Sequence, residues 1–299
     1  MEFLAEKRKD NSRDMPSRVV ETGKELLRRR GARLGVEQWS VREQVFLAAL
    51  DTNELDVAGS MLKEIEAQFP DSQRAGRLRG LYLEAQGKTK EAAAVYDGLL
   101  KTNEINMLAF KRKICLLIAA GKDSEAVTQL TKYLDTFQAD SEAWKQLALL
   151  HIQCGSFRNA VFCLEEVIIS DPHSYISALA LADAKYTLGG DVVNIVDARK
   201  YYSLSLHLKE GAANPRALWG MMLATRALDE WAADATDSTG KKKQQPKGKA
   251  GSDNVAQLVQ RNLNTALNMR AQEHIANMEL PEGMKDLVTK VAQRFSCKA

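Results

Sequence analysis

Gly155 lies 34 residues after Gly121, which lies 34 after Gly87, and Ala58, Ala92, Ala126 and Ala160 keep the same interval. A period of this size marks a repeat architecture, in which each unit is one supersecondary element that cannot bury its apolar face alone. Two further series agree: Leu62, Tyr96, Leu130 and Leu164, then Ile65, Leu99, Tyr133 and Val167. Pro70 and Pro172 hold the closing position of the first and fourth units, where Glu104 and Gln138 stand in the two between. This register sets units at 39–72, 73–106, 107–140 and 141–174.

Each unit reads as two helices. In the fourth, Trp144, Leu147, Ala148 and His151 share one helical face, and Ala160, Leu164 and Val167 share the face of a second helix. Gly155 ends the first helix, because a residue without a β-carbon enters the left-handed conformation that stops helical hydrogen bonding. Pro172 ends the second, lacking an amide hydrogen. Small residues at Ala58, Ala92, Ala126 and Ala160 let paired helices approach closely. The pattern resembles the tetratricopeptide repeat, W-x2-L-G-x2-Y, then A-x3-F, then P. The fourth unit carries it as Trp144, Leu147, Ala148, His151, Ala160, Leu164 and Pro172, with Arg42 and Gly76 at the Trp position of the first two units.

The expected fold is all-α: a tetratricopeptide α-solenoid with an N-terminal capping helix and C-terminal helices. Residues 1–38 supply the capping helix, over Pro16 to Arg30, which hides the apolar face of the first unit. The solenoid covers 39–232, including a degenerate fifth unit at 175–214 and a helix at 216–232. In that fifth unit Ala178, Leu181, Ala182 and Gly189 keep phase, but Ala198 and Tyr202 come four residues late, after the turn GGDVVNIVD. A low-complexity loop follows at 233–253, containing the basic run 241–249, and helices at 254–299 complete the chain, from the N-cap Asp253 and past Pro281.

Composition narrows the function. Only 6 Pro and 18 Gly in 299 residues favour helix, and 42 basic against 39 acidic residues are too balanced for bulk attraction to nucleic acid. No apolar run approaches the roughly 18 residues of a membrane span. The charged start MEFLAEKRKDNSRD lacks the apolar stretch of a signal peptide, so the chain is expected in the cytosol with Cys115, Cys154, Cys163 and Cys297 as reduced, mostly buried thiols.

No residue pattern supports an enzyme. His151 sits where the repeat packs an aromatic; His173, His207 and His274 have no ligand spacing, and P-loop, GxGxxG, GxSxG and HExxH motifs are missing. No catalytic residue, cofactor or metal is assigned. What remains is surface. One residue after the Trp position the units read Glu43, Arg77, Lys111, Lys145 and Leu179. Arg77, Lys111 and Lys145 would form a basic ladder along first helices, suited to an acidic partner segment; ordinary solvated charge is the alternative. The basic run 241–249 reads as a solvated linker, with an anionic membrane surface as its alternative contact.

The stretches EQVFLAALD, FPDSQRAGRLRGLYLEAQGK, FKRKICLLIAAGKDSEAV, EAWKQLALLHI, NAVFCLEEVIISDPH, AKYTLGG, ARKYYSLSL and RALWGM, between about 40 and 222, resemble the subunit 2 family of the endoplasmic reticulum (ER) membrane protein complex. The resemblance implies a noncatalytic scaffold, peripheral on the cytosolic face of the ER membrane. It would support insertion of tail-anchored and multipass proteins and hold together the small cytosolic subunit, 8 or 9, and the cytosolic parts of subunits 3 and 5. A free adaptor that binds extended client or chaperone segments is the other reading.

Overall fold

A computed structural model describes residues 2–9, 14–209 and 214–237, with the side chains of 32 and 232–237 excepted. The expected helices at 254–299, the basic run 241–249, His274 and Cys297 lie outside the described residues. Thirteen α-helices, one short 3-10 turn at Gly31–Arg33 and no strand occur among the described residues, the all-α class that the period requires. They fall into two compact units divided between Gln129 and Leu130.

The first unit opens with α1 (Glu2–Lys9) and α2 (Pro16–Arg30), followed by the hairpins α3–α4 (Glu37–Asp51, Leu55–Gln68) and α5–α6 (Gln73–Ala85, Thr89–Thr102), then α7 (Met107–Ala119). The next helix, α8 (Asp123–Thr136), contains the division. α2 caps the first hairpin by burying Val19, Val20 and Gly23. Contact there is close, since a Cβ on Gly23 would meet Val45 Cγ2 at 2.1 Å. Val41, Val45, Phe46, Ala58, Leu62 and Leu78 fill the core behind it, joined by Leu4 of α1.

The second unit stacks α9–α10 (Ser141–Gln153, Phe157–Ser170), α11–α12 (Tyr175–Leu188, Val192–Leu208) and α13 (Pro215–Asp237). Ala182, Ala198, Tyr202, Ala217, Met221 and Ala224 make one of its cores. Helix α13 runs to Asp237, into the stretch expected as loop from 233.

The period has a visible mechanical cause. Ala58, Ala92, Ala126 and Ala160 are each fully buried, as positions of close helix contact must be. Gly87, Gly121 and Gly155 take φ of 76°, 69° and 71°. At Gly155 the two carbonyls left open by the end of α9 are closed by Gly155 N to Ile152 O at 3.0 Å and Ser156 N to His151 O at 2.8 Å, a Schellman motif. The same pair of bonds recurs around Gly87 and Gly121. Asn53 fills the equivalent place after α3 at φ 60°, using the tolerance of asparagine for left-handed backbone. Helix starts are capped on the same period: Asn106, Asp140 and Ser174 accept from the amides of Ala109, Ala143 and Ser177.

The fifth hairpin departs from expectation in an informative way. VVNIVD is not a turn; it is the start of α12, and only Gly189 to Asp191 separate the helices. Helix α12 has 17 residues where α4, α6, α8 and α10 have 14. The late arrival of Ala198 and Tyr202 is therefore about one extra helical turn, which returns both side chains to the same face.

Candidate partner-binding surface

The first helix of a hairpin turns one face to its partner helix and leaves another open. On that open face in the first unit, Glu43 of α3 receives two cations from α5: Arg74 Nη2 at 2.6 Å and Arg77 Nη2 at 3.4 Å. Lys111 is half-buried on α7 and also engaged. In the second unit Lys145 Nζ lies 2.8 Å from Glu142 Oε1, one turn back on α9. Of the residues expected as a basic ladder, Arg77 and Lys145 are thus each in an ion pair within the chain, and Lys111 has a partner as well. The ladder reading missed Arg74, although its i, i+3 spacing to Arg77 puts both on one face.

A groove of about 510 Å³ runs beside Glu43, walled by Lys7 and Arg8 of α1, Gln44 and Leu47 of α3, and Arg74 and Leu81 of α5. Gln44 Nε2 donates to Leu4 O at 3.1 Å, which fixes α1 against α3. Lys7 and Arg8 lie before the first repeat, so no periodic signal could single them out.

Two three-residue networks tie successive helices. Tyr96 of α6 is fully buried and donates to Glu84 Oε1 of α5 at 2.6 Å, and Arg112 of α7 clasps the same carboxylate through Nε at 3.1 Å and through Nη2. Burial first, then the Glu84 bond, raises the Tyr96 phenol well above its ordinary range. In the second unit Tyr202 of α12 donates to Asp183 Oδ1 of α11 at 2.6 Å, and Arg216 Nη2 of α13 approaches Oδ2 at 2.6 Å. That second approach is an ion pair without hydrogen-bond alignment, since Oδ2 is buried and accepts no bond. In each network one carboxylate joins three consecutive helices, and bonds to a charged acceptor are the stronger kind.

A second groove, also of about 510 Å³, opens in the second unit beside Trp144, His151, Phe162 and Cys163. Trp144 Nε1 donates to Gln138 O at 2.8 Å, and its ring meets Phe162 edge-on at 6.0 Å. Burial lowers the His151 pKa, and burial pushes the Cys163 thiol up to about 11. A protonated thiol beside a neutral imidazole is the opposite of an activated pair. The expectation of mostly buried thiols needs correction: among the described cysteines only Cys163 is buried, Cys115 is half-buried, and Cys154 is exposed at the C-terminal end of α9. Pro172 lies exposed in the turn between α10 and α11. Among the described residues no group of three or more His, Cys, Asp or Glu could hold a metal ion. No helix among them is long and apolar enough to cross a membrane.

Residues 59–193 match the family described as EMC2 TPR-like repeat domain. The chain is 40% identical to ER membrane protein complex subunit 2-A of Xenopus laevis over 218 residues, 73% of this chain and 72% of that one. It is 33% identical to the TPR repeat protein oca3 of Schizosaccharomyces pombe over 175 residues, 58% of this chain and 62% of that one. Among solved structures, the C-terminal part of a TPR repeat-containing protein from Cytophaga hutchinsonii superimposes with TM-score 0.59 at 12% identity, over 93% of this chain and 99% of that one. That likeness concerns the fold alone. The buried alanine series, the left-handed turns and the identity to the frog protein agree, and the chain belongs to the subunit 2 family of the ER membrane protein complex, built on tetratricopeptide repeats.

Proposed function

We propose that the chain is a noncatalytic scaffold subunit of the ER membrane protein complex, peripheral on the cytosolic face of the ER membrane. In this role it supports insertion of tail-anchored and multipass proteins by docking other subunits: the small cytosolic subunit, 8 or 9, and the cytosolic parts of subunits 3 and 5. Its identity to relatives that carry the complex's name carries the reading. The hairpin fold supports it, because stacked repeats present extended faces for binding rather than an enclosed reaction site. Arg77, Lys111 and Lys145 are the residues proposed to meet partners, with Arg77 and Lys145 exchanging ion pairs within the chain for pairs with the partner. No cofactor or nucleic acid is required.

The test is affinity recovery of the tagged chain from detergent-solubilised membranes of cells that express it. Membrane cofractionation with the other subunits of the complex is expected. A soluble monomer with only transient clients would instead establish the free adaptor.

A further inference from the structure

The two ends of the helix stack in the first unit differ in character. Helix directions alternate, so the end of α2, the start of α3, the end of α4, the start of α5, the end of α6 and the start of α7 lie together. Two contacts confirm it: the Trp39 and Phe69 rings meet edge-on at 5.4 Å, and Asn106 Nδ2 donates to Gln73 Oε1 at 2.8 Å. Val36, Phe69, Ile105, Met107 and Leu108 are exposed at this end; among the described residues of the unit, Met15 is the one large apolar side chain exposed at the other. The turn from α6 to α7 is an exception to the period. Thirty-four residues to either side, Ile105 is answered by Asp71 and Ala139, Met107 by Gln73 and Ser141, and Leu108 by Arg74 and Glu142. This turn is well held, since Ile105 N donates to Asn103 Oδ1 at 3.1 Å and Asn106 Oδ1 accepts from Ala109 N at 3.2 Å, yet Ile105 is 68% exposed.

The same end carries charge at one corner. Arg28, Arg29, Arg30 and Arg33 are exposed where α2 passes into α3, with Glu37 and Glu25 as the anions beside them, Glu25 paired with Arg29 at 2.6 Å. Elsewhere on this end the charges balance: Arg74 and Lys101 stand with Asp71 and Glu104, and Glu66 is paired with Arg79.

We propose that this end of the first unit rests directly on an anionic lipid bilayer, its apolar turn side chains entering the headgroup boundary and its arginines meeting lipid phosphates. The proposal deepens the peripheral placement above and rests on it. The side chains stand at connectors between hairpins and line no groove, so they suit a broad surface that meets successive turns at once. Exposed apolar side chains beside a cationic cluster are the composition of an interfacial contact, in which apolar burial and attraction to anionic headgroups add. Arginine stems can lie along apolar surface while the forked guanidinium reaches a phosphate. Trp39 backs Phe69 here, and indole rings favour the headgroup level. A turn already fixed by hydrogen bonds loses little further entropy on insertion.

The test uses the full chain in sedimentation with vesicles of phosphatidylcholine that carry phosphatidylserine as the minor lipid. Binding is expected, weakening as sodium chloride is raised. Joint Ile105→Ser, Met107→Ser and Leu108→Ser substitution, with unchanged helical circular dichroism, weakens it about tenfold or more. Arg28→Gln with Arg30→Gln does the same, whereas Lys88→Gln with Lys90→Gln, which removes equal charge at the opposite end, leaves binding within about twofold. Every variant keeps the basic run 241–249, so a loss at the arginine pair does not come from it. No binding by the native chain, full binding by the serine variant, or equal losses at the arginine and lysine pairs each overturns the inference. So does a serine variant that keeps the vesicles but no longer recovers another subunit of the complex, which would give this end to a protein partner. A chain that joins the complex yet ignores the vesicles refutes this inference alone; one that binds the vesicles but never joins the complex refutes the docking role alone.

Discussion

The Tyr96 ring occupies the space in which Gly80 would carry a side chain: a Cβ built there falls 2.4 Å from the ring carbon Cζ. The same relation recurs between Gly220 and Tyr202, at 2.3 Å from Cε1. Glycine is placed at these helix positions, against its poor helix propensity, because each tyrosine needs the room to reach its carboxylate.

Gly80→Ala must push Tyr96 or its helix aside, and overpacking of this kind costs about 1 to 3 kcal/mol. Gly98 gives the contrast, since it lies inside α6 with nothing within 4 Å of its built Cβ. Gly98→Ala is therefore expected to stabilise by roughly 0.5 to 1 kcal/mol. Urea denaturation of the two variants, read as midpoints of opposite shift, checks both; a stabilised Gly80→Ala variant would refute the packing account.

Glu84 accepts from both Tyr96 and Arg112, so its removal should cost more than the loss of either partner's bond. Tyr96→Phe keeps the ring and deletes one bond to a charged acceptor, about 1.5 to 3 kcal/mol. Glu84→Ala leaves a buried phenol and a half-buried guanidinium without their shared acceptor. A double-mutant cycle on Tyr96→Phe and Glu84→Ala should show coupling well above zero. Additive losses would mean that the network contributes only packing.

These networks mark the limit of what the sequence discloses. The alanines, glycines and apolar series are legible because every repeat meets the same steric demand, so one residue type returns every 34 positions. Tyr96 belongs to one of those series, but its polar partners Glu84 and Arg112 answer a demand made by three particular helices and leave no echo at 34 residues; neither do Asp183 and Arg216. The ladder of Arg77, Lys111 and Lys145 was legible as a row, but a row says nothing about counter-ions. The Glu43 and Glu142 partners follow from side-chain reach, which periodicity does not encode. The slip before Ala198 shows the converse case. A four-residue offset is as compatible with a longer loop as with an added helical turn, and only packing of Tyr202 against α11 and α13 selects the turn.

Asn53 and Gly155 share a backbone conformation but not a residue type, and substitution should separate them. Gly155→Ala meets no neighbour, yet places a β-carbon at φ 71°, which costs roughly 1 kcal/mol or more. Asn53→Gly relieves the same strain at φ 60° and is expected to be neutral or slightly stabilising. Thermal midpoints followed by circular dichroism would decide; a harmless Gly155→Ala would mean that the turn tolerates a side chain and that glycine there serves another purpose.

His151 makes stability depend on pH with a defined sign. Burial lowers its pKa below the ordinary value of 6.5, so the folded state holds the neutral imidazole more firmly than the unfolded state does. Between the two values the unfolded chain binds more protons, and stability rises with pH in that window. The contribution is complete above the ordinary value and is lost as pH falls through it towards the lowered one. Asp135, Glu166 and Cys163 line the same groove. The urea midpoint of the native chain should therefore fall between about pH 7.5 and about pH 5.5, and His151→Gln, which has no proton to gain, should fall less over the same interval. An identical fall in both proteins would assign the pH dependence to other groups and leave His151 as a packed side chain without a titration of consequence.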